Sequence, residues 1–286
     1  MDRLYNGCSC SECKGEIQAK EEKFFSDKEI EEILSRIYSG ELNPTEDIEE
    51  TLFEITLNKL NEAVDLSFSL IYEANKDFIN ELKYNNEVFA AFKTHKQQND
   101  LAALLVDEDG ELRSFVKFRE ATKPIINRYN VDWLQTEYIT AVKSARTAER
   151  FRRFERDKDL YPNVRWVPSV AVEPRVSHMA YYNQIRSLSD RWWLTHYPGC
   201  VWRCQCDIEN TNLAITHKGN RIATAEEKRK SIQSEVKEQQ AAPGLEYNPA
   251  FTGSIFSKNH PYIKDAYPGA RKAVANFIRE RGGDNG

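Results

Sequence analysis

The sequence lacks any apolar run near the ~18 residues that a membrane helix needs; the longest, LAALLV at 101–106, is a third of that. Glycine (12) and proline (10) are sparse across 286 residues, which disfavours a turn-rich β-sandwich and favours long helices. There is no G-x-S-x-G, P-loop, G-x-G-x-x-G or H-E-x-x-H, so the common signatures of serine hydrolases, nucleotide-binding proteins and zinc peptidases are missing. The opening MDRLYNGCSC has no apolar stretch of the kind a secretory signal requires, so the expected setting is a reducing cytoplasm. Six cysteines there read as thiols or metal ligands before disulfides.

A strong charge of either sign is also missing. The net charge is −5, which gives no global pull toward nucleic acid. It hides an asymmetry: residues 1–60 hold 7 basic and 15 acidic side chains, the remainder 33 and 30. Charged residues make up 30% and aromatics 11%; the latter argues against wholesale disorder.

Residues 1–25 read as a polar tail carrying Cys8, Cys10 and Cys13. Three thiols so close suit a metal only if a fourth ligand comes from elsewhere. The spacing Ser26-x-x-Glu29 predicts a capping box and a helix that stops at Gly40. A second helix is predicted after Asn43-Pro44, with Phe53, Leu57, Leu60 and Val64 on one face and the pattern continuing to about Tyr84. A third is placed near 86–106, with His95 as a packed histidine. Another, around 112–129, should be ended or kinked by Pro124. The most periodic stretch is 131–157: Leu134, Tyr138, Ala141, Ala145, Ala148 and Phe151 form a stripe whose alanines permit close approach of another helix. Its second half is basic. Arg146, Arg150, Arg153 and Arg156 read either as a solvated face at a helix C-terminus or as a contact for DNA.

At about residue 159 the texture changes. Pro162, Pro168, Pro174 and Pro198 interrupt helices, and NVRWVPSVAVEP has short β-branched runs. In CVWRCQCDI, Cys200, Trp202, Cys204, Cys206 and Ile208 alternate with other residues, a period of two that predicts a half-buried strand. The expected fold is therefore predominantly α with a small α+β unit: long helices in the N-terminal half and short strands at about 160–210. The expected organisation is a tail at 1–25, a helical domain at 26–158, an α+β unit at 159–215, and a C-terminal helix, arm and short helix at 216–286. A further capping box, Thr224-x-x-Glu227, opens a polar helix to about Gln240, and a last helix is predicted at 269–281.

Three chemistries compete for the cysteines. They are buried thiols, which are common in cores; a structural zinc site drawing on Cys204, Cys206 and the histidines His178, His196 or His260; or a nucleophile served by a histidine base. A disulfide between Cys204 and Cys206 is poor, because same-face strand neighbours sit roughly 6.5–7 Å apart at Cα. The same spread argues against easy chelation by a regular strand.

The order of TEYITAVKSARTAERF (136–151), YPNVRWVPSVAVEPRVSHMAYY (161–182) and DRWWLTHYPGCVWRCQCDI (190–208) resembles that of phage Mu F-like minor head proteins. The matching positions are Thr136, Glu137, Tyr138, Arg175, His178, Trp193, Pro198, Trp202, Cys204 and Cys206. Departures are Gln205, where the family has arginine, HMAYYNQ, which lacks the family's glycine, and Cys200, an addition. The resemblance implies a low-copy structural protein of the virion, at the head interior or portal vertex and in the host cytoplasm during assembly. It implies a role in head morphogenesis, with portal protein or major capsid protein as partners, packaged DNA as a further contact and no membrane partner; the cofactor expectation, none or structural zinc, comes from the cysteines and histidines themselves. It implies no catalytic residue. A DNA-binding ejection protein and a zinc-dependent hydrolase are the rival readings.

Overall fold

A computed structural model describes residues 25–69, 73–171, 174–216 and 241–283. Cys8, Cys10 and Cys13 and the polar helix expected after Thr224 lie outside the described residues. Among the described residues no helix is long and apolar enough to cross a membrane.

The chain falls into two compact units, each discontinuous in sequence. One draws on Lys20–Glu62, Lys83–Tyr138 and Lys258–Gly286, the other on Ala63–Leu82 and Ile139–Ser257. The first is called the helical unit here, and the second the cysteine unit.

In the helical unit, α1 (Asp27–Ser39) opens on the expected capping box. The Ser26 hydroxyl accepts from the Glu29 N–H, the Glu29 carboxylate accepts from the Ser26 N–H, and Gly40 closes the helix at φ 76°. Its buried Ile33, Leu34 and Ile37 join Leu42, Leu52, Leu101, Phe118 and Ile126 in one core.

The next two helices differ from expectation. α2 spans Glu50–Phe68 and α3 spans Lys76–Ala102, where the apolar pattern had suggested one helix to about Tyr84 and a new start near 86. The physical reason is visible at Phe68 and Phe78, whose rings lie 5.9 Å apart. Ten residues of unbroken helix would separate them by about 15 Å, so the contact requires the chain to turn.

Pro124 does not end its helix. α4 runs Phe115–Asn127 through it and passes into a π-helical turn, Arg128–Trp133, before α5 (Leu134–Asp157). The wider turn buries both Tyr129 and Trp133, with ring centres 4.5 Å apart; π-bulges of this kind absorb local irregularity without breaking the rod.

In the cysteine unit, three short antiparallel strands are ordered β2-β1-β3: β1 (Asn163–Val167), β2 (Ile185–Ser187) and β3 (Asp207–Thr211). Trp166 pairs with Ile208 and Val164 with Asn210. Alternation turns Val164 and Trp166 to the core. Arg165 pairs with Glu209 across the strands, 2.6 Å apart. The core adds Phe151 and Phe154 of α5, Tyr181, Leu188, Trp193, Tyr197, Cys200, Val201, Cys204 and Cys206. Short helices α6 (Val176–Met179) and α7 (Pro249–Thr252) complete the unit. The helical unit ends with α8 (Pro261–Lys264) and α9 (Ala270–Gly283); in α9, Ala270, Ala273 and Val274 are buried while Phe277 and Ile278 are half-buried.

Candidate metal centre

The expected strand over 200–208 is replaced by a folded loop, and only its end, from Asp207, is β-structure. Cys200, Val201 and Trp202 are buried in succession, which no two-residue alternation allows. Two residues with positive φ bend the segment, Gly199 at 118° and Arg203 at 57°. At Gly199 a side chain is excluded twice over, by its φ and because a Cβ would stand 2.7 Å from Ser144 Oγ. Arg203 is held in a conformation unfavourable to its residue type by its N–H, which donates to Thr140 Oγ1 at 3.1 Å.

The anchor for this loop is the face of α5. Beside the alanine stripe runs a second one, Glu137, Thr140, Ser144, Thr147 and Phe151, stepping by three and four residues, and every member is buried. Thr147 Oγ1 donates to the Pro198 carbonyl at 2.7 Å, so small side chains admit a loop backbone where a partner helix had been expected. Arg175, at the N-cap of α6, donates to the Trp202 carbonyl at 3.1 Å. Trp202 stacks on Phe256, with ring centres 5.9 Å apart. Trp193 is fully buried and donates its indole N–H to the Ser187 carbonyl at 3.0 Å.

This scaffold brings together His178, Cys204 and Cys206, whose donor atoms all lie within 4.8 Å of one another. Both sulfurs face the same ring nitrogen: Cys204 Sγ is 3.6 Å and Cys206 Sγ 3.5 Å from His178 Nδ1. Cys204, Cys206 and His178 are buried, at 6%, 2% and 1% exposure respectively, which denies a substrate access to either sulfur. The loop undoes the objection that a regular strand would hold Cys204 and Cys206 too far apart to chelate. Burial alone would lower the His178 pKa, but the Cys204 and Cys200 sulfurs around the ring raise it to about 10. The Cys204 thiol is pushed well down by its hydrogen bond with Cys206, against burial and with help from His178, and Cys206 is pushed up by Cys204 and by burial.

The remaining sequence candidates sit elsewhere. His196 lies outside the converging set; it stacks on Trp192 with ring centres 4.4 Å apart, and its Nδ1 is 2.9 Å from Thr195 Oγ1. Arg150 is engaged by Asp207 at 2.6 Å and by the Ile208 carbonyl at 2.6 Å. Arg146, Arg153 and Arg156 are exposed, Arg153 beside Glu149 at 3.7 Å. Thr136 bonds its own helix at the Asp132 carbonyl, and Tyr138 donates to Glu62 at 3.0 Å.

Glu137 proves to be the centre of a second buried constellation, in the helical unit. Lys93 donates to one carboxylate oxygen at 2.5 Å and the Tyr262 hydroxyl to the other at 2.9 Å; Lys93, Glu137 and Tyr262 are all 0% exposed. Burial pushes the Lys93 pKa down, opposed by Glu137. His260 lies against Tyr262 and Phe89, and burial and Lys93 hold its pKa well below the usual range. Sequence reasoning missed this pairing, although the spacing of Leu134, Glu137 and Ala141 already set Glu137 on the buried side of α5.

The chain is similar to two curated phage proteins. A protein of Escherichia phage Mu named as capsid assembly protein F is 30% identical over 81 residues, 28% of this chain and 18% of that protein. The Mu-like prophage FluMu F protein of Haemophilus influenzae is 31% identical over 94 residues, 32% of this chain and 22% of that protein. The chain thus matches about a fifth of the length of each. No family model matches it, and no solved structure matches it.

Proposed function

We infer that this chain is a structural component of a phage head, of the Mu F-like kind, acting in head assembly through protein partners. The observation that carries the reading is the 30% identity over 81 residues to a phage Mu protein named for capsid assembly, seconded by the Haemophilus prophage protein. The geometry supports a structural role: the one converging set of soft donors among the described residues is sealed in a core, an arrangement suited to holding a fold. The partners proposed are portal protein or major capsid protein, the location the virion, and the copy number low. A secondary contact with packaged DNA rests on exposed Arg146, Arg153 and Arg156 and would weaken as salt rises; Arg150 is committed to β3.

The test is peptide mass spectrometry on purified, nuclease-treated particles, with copy number counted against portal protein. Recovery at or below the portal copy number is the expected outcome. Absence from both particles and assembly intermediates would overturn the reading.

A further inference from the structure

We propose that His178, Cys204, Cys206 and Cys200 bind one zinc ion in a closed, structural Cys3His site that fixes the loop of the cysteine unit. This goes beyond the head-assembly reading and stands or falls without it.

The first argument is spacing. Zinc bonds of about 2.0–2.1 Å to nitrogen and 2.3 Å to sulfur, at tetrahedral angles, set N and S about 3.6 Å apart. The two Sγ–Nδ1 distances are 3.6 and 3.5 Å, and the three donors lie mutually within 4.8 Å.

The second argument is lone-pair accounting. A thiol hydrogen bond to a neutral imidazole would also span such a distance, but Nδ1 has one lone pair and accepts from one donor. One sulfur can bond the ring and the other its partner sulfur, as the Cys204–Cys206 hydrogen bond allows, but such a chain does not require both sulfurs to stand at matched distance from one nitrogen. A cation between the three atoms satisfies all of them at once. Thiolates and imidazole are the ligands zinc selects.

The third is the surroundings. The Trp166 indole N–H meets no oxygen or nitrogen and lies beside the Cys206 sulfur, as an outer-shell donor to a metal-bound thiolate would. Cys200 supplies the fourth donor. It is 3% exposed and shares one buried core with Cys204 and Cys206. It stands outside the 4.8 Å set, so binding would draw it in. The loop bends at Arg203, between Cys200 and Cys204, so both approach the histidine from one short stretch of chain. Four protein ligands leave no open position for water, which makes the site structural and not hydrolytic.

The experiment uses the full chain, purified reduced and without a polyhistidine tag, and analysed for zinc by mass spectrometry. One zinc per chain is expected, with a chelator lowering the melting temperature by about 10 °C or more, as loss of metal-linked folding does. Cobalt exchanged into the site should give a tetrahedral visible spectrum and a thiolate charge-transfer band, and Cys200→Ser should reduce that band by about a third. A variant with Cys8, Cys10 and Cys13 changed to Ser should keep its metal, while His178→Ala and Cys204→Ser should lose it. Should those two fail to fold, the wild-type zinc content and cobalt spectrum decide. The proposal is overturned if reduced wild type takes up no zinc on reconstitution, or if the metal follows Cys8, Cys10 and Cys13. An unchanged charge-transfer band in Cys200→Ser removes Cys200 as the fourth ligand.

Discussion

The two units bury polar chemistry in opposite ways. In the helical unit Lys93 meets Glu137, and Tyr262 takes the second carboxylate oxygen. Cation, anion and hydroxyl complete one another, and all three stand on helices. In the cysteine unit two sulfurs and one imidazole converge on each other from a loop and a short helix, and none of them brings a permanent positive charge. In the first set the charges are those the side chains ordinarily carry; in the second the Cys204 thiol is pushed down and the His178 ring up by each other and by the neighbouring sulfurs. A buried ion pair is held for geometry more than for net stability, since desolvation offsets most of the attraction. In the second set the hydrogen bonds among sulfurs and ring offset part of the cost of burial, and a cation between them would engage all three donors together.

The largest effect should come from breaking the complete set. Glu137→Ala leaves the Lys93 ammonium buried and unpaired, and loss of one partner of such a pair costs about 3–5 kcal/mol. The double change Lys93→Met with Glu137→Leu should recover part of that loss, because replacing both ion-pair partners by apolar groups is close to neutral while the Tyr262 hydroxyl loses its Glu137 acceptor. Urea denaturation of the three proteins measures it; a double variant no more stable than Glu137→Ala would mean that the pair is worth more than its desolvation.

The loop should be broken next most severely at Gly199. An alanine there must adopt a φ of 118° and meet Ser144 Oγ at 2.7 Å. Backbone strain of this kind costs about 1–3 kcal/mol, so Gly199→Ala should destabilise by roughly 2–3 kcal/mol, and Ser144→Gly should restore only the part due to the Oγ contact, since Tyr197 Cε2 still stands 3.1 Å from the added Cβ. Denaturant midpoints for the two variants and their combination separate steric from conformational cost.

A smaller effect distinguishes the units by pH. His260 Nδ1 accepts the Tyr262 N–H at 3.2 Å, and burial with Lys93 nearby holds its pKa well down. Above about pH 6.5 neither the folded nor the unfolded histidine is charged, and the group contributes no pH dependence. Below that, the unfolded chain takes up a proton that the folded one refuses, so stability falls with pH until the folded pKa is reached. The slope is at most about 1.4 kcal/mol per pH unit for one histidine. His260→Asn keeps an N-cap acceptor and removes the titration. Its stability between pH 6.5 and 5 should therefore fall less steeply than that of wild type, and equal slopes would refute the assignment.

The contrast between the units also explains what the sequence could show. Helices were legible where one face is apolar: the Ser26–Glu29 box and Gly40 were found in place, as was the alanine stripe of α5. What periodicity could not see was non-local. The turn between α2 and α3 depends on a contact between Phe68 and Phe78, which no window of sequence contains. The alternation of Cys200, Trp202, Cys204 and Cys206 fits a strand, but Arg203 leaves that conformation because Thr140, sixty-three residues earlier, bonds its N–H. His178 could be named as a partner from its residue type, while His196, equally plausible by type, is turned to Trp192 by stacking. Glu137 stands in the Thr136-Glu137-Tyr138 motif and its burial follows from its place on α5; its partners Lys93 and Tyr262 are set by the fold alone.

The smallest effect tests whether α5 shapes the loop or merely touches it. Thr140→Val keeps the volume and deletes the hydroxyl that receives the Arg203 N–H; Thr147→Val deletes the donor to the Pro198 carbonyl. Each hydrogen bond has a net worth of about 1 kcal/mol, more where the orphaned backbone group stays buried. Both act on one loop, so the two changes together should cost less than their sum. Once the loop is free at Arg203, little remains for the Pro198 contact to hold. A double-mutant cycle with a coupling of about 0.5 kcal/mol or more would show one cooperative loop clamped at two points. Strict additivity would mean that the two hydrogen bonds from α5 hold the loop independently, so that the turn at Arg203 and the entry at Pro198 are set separately.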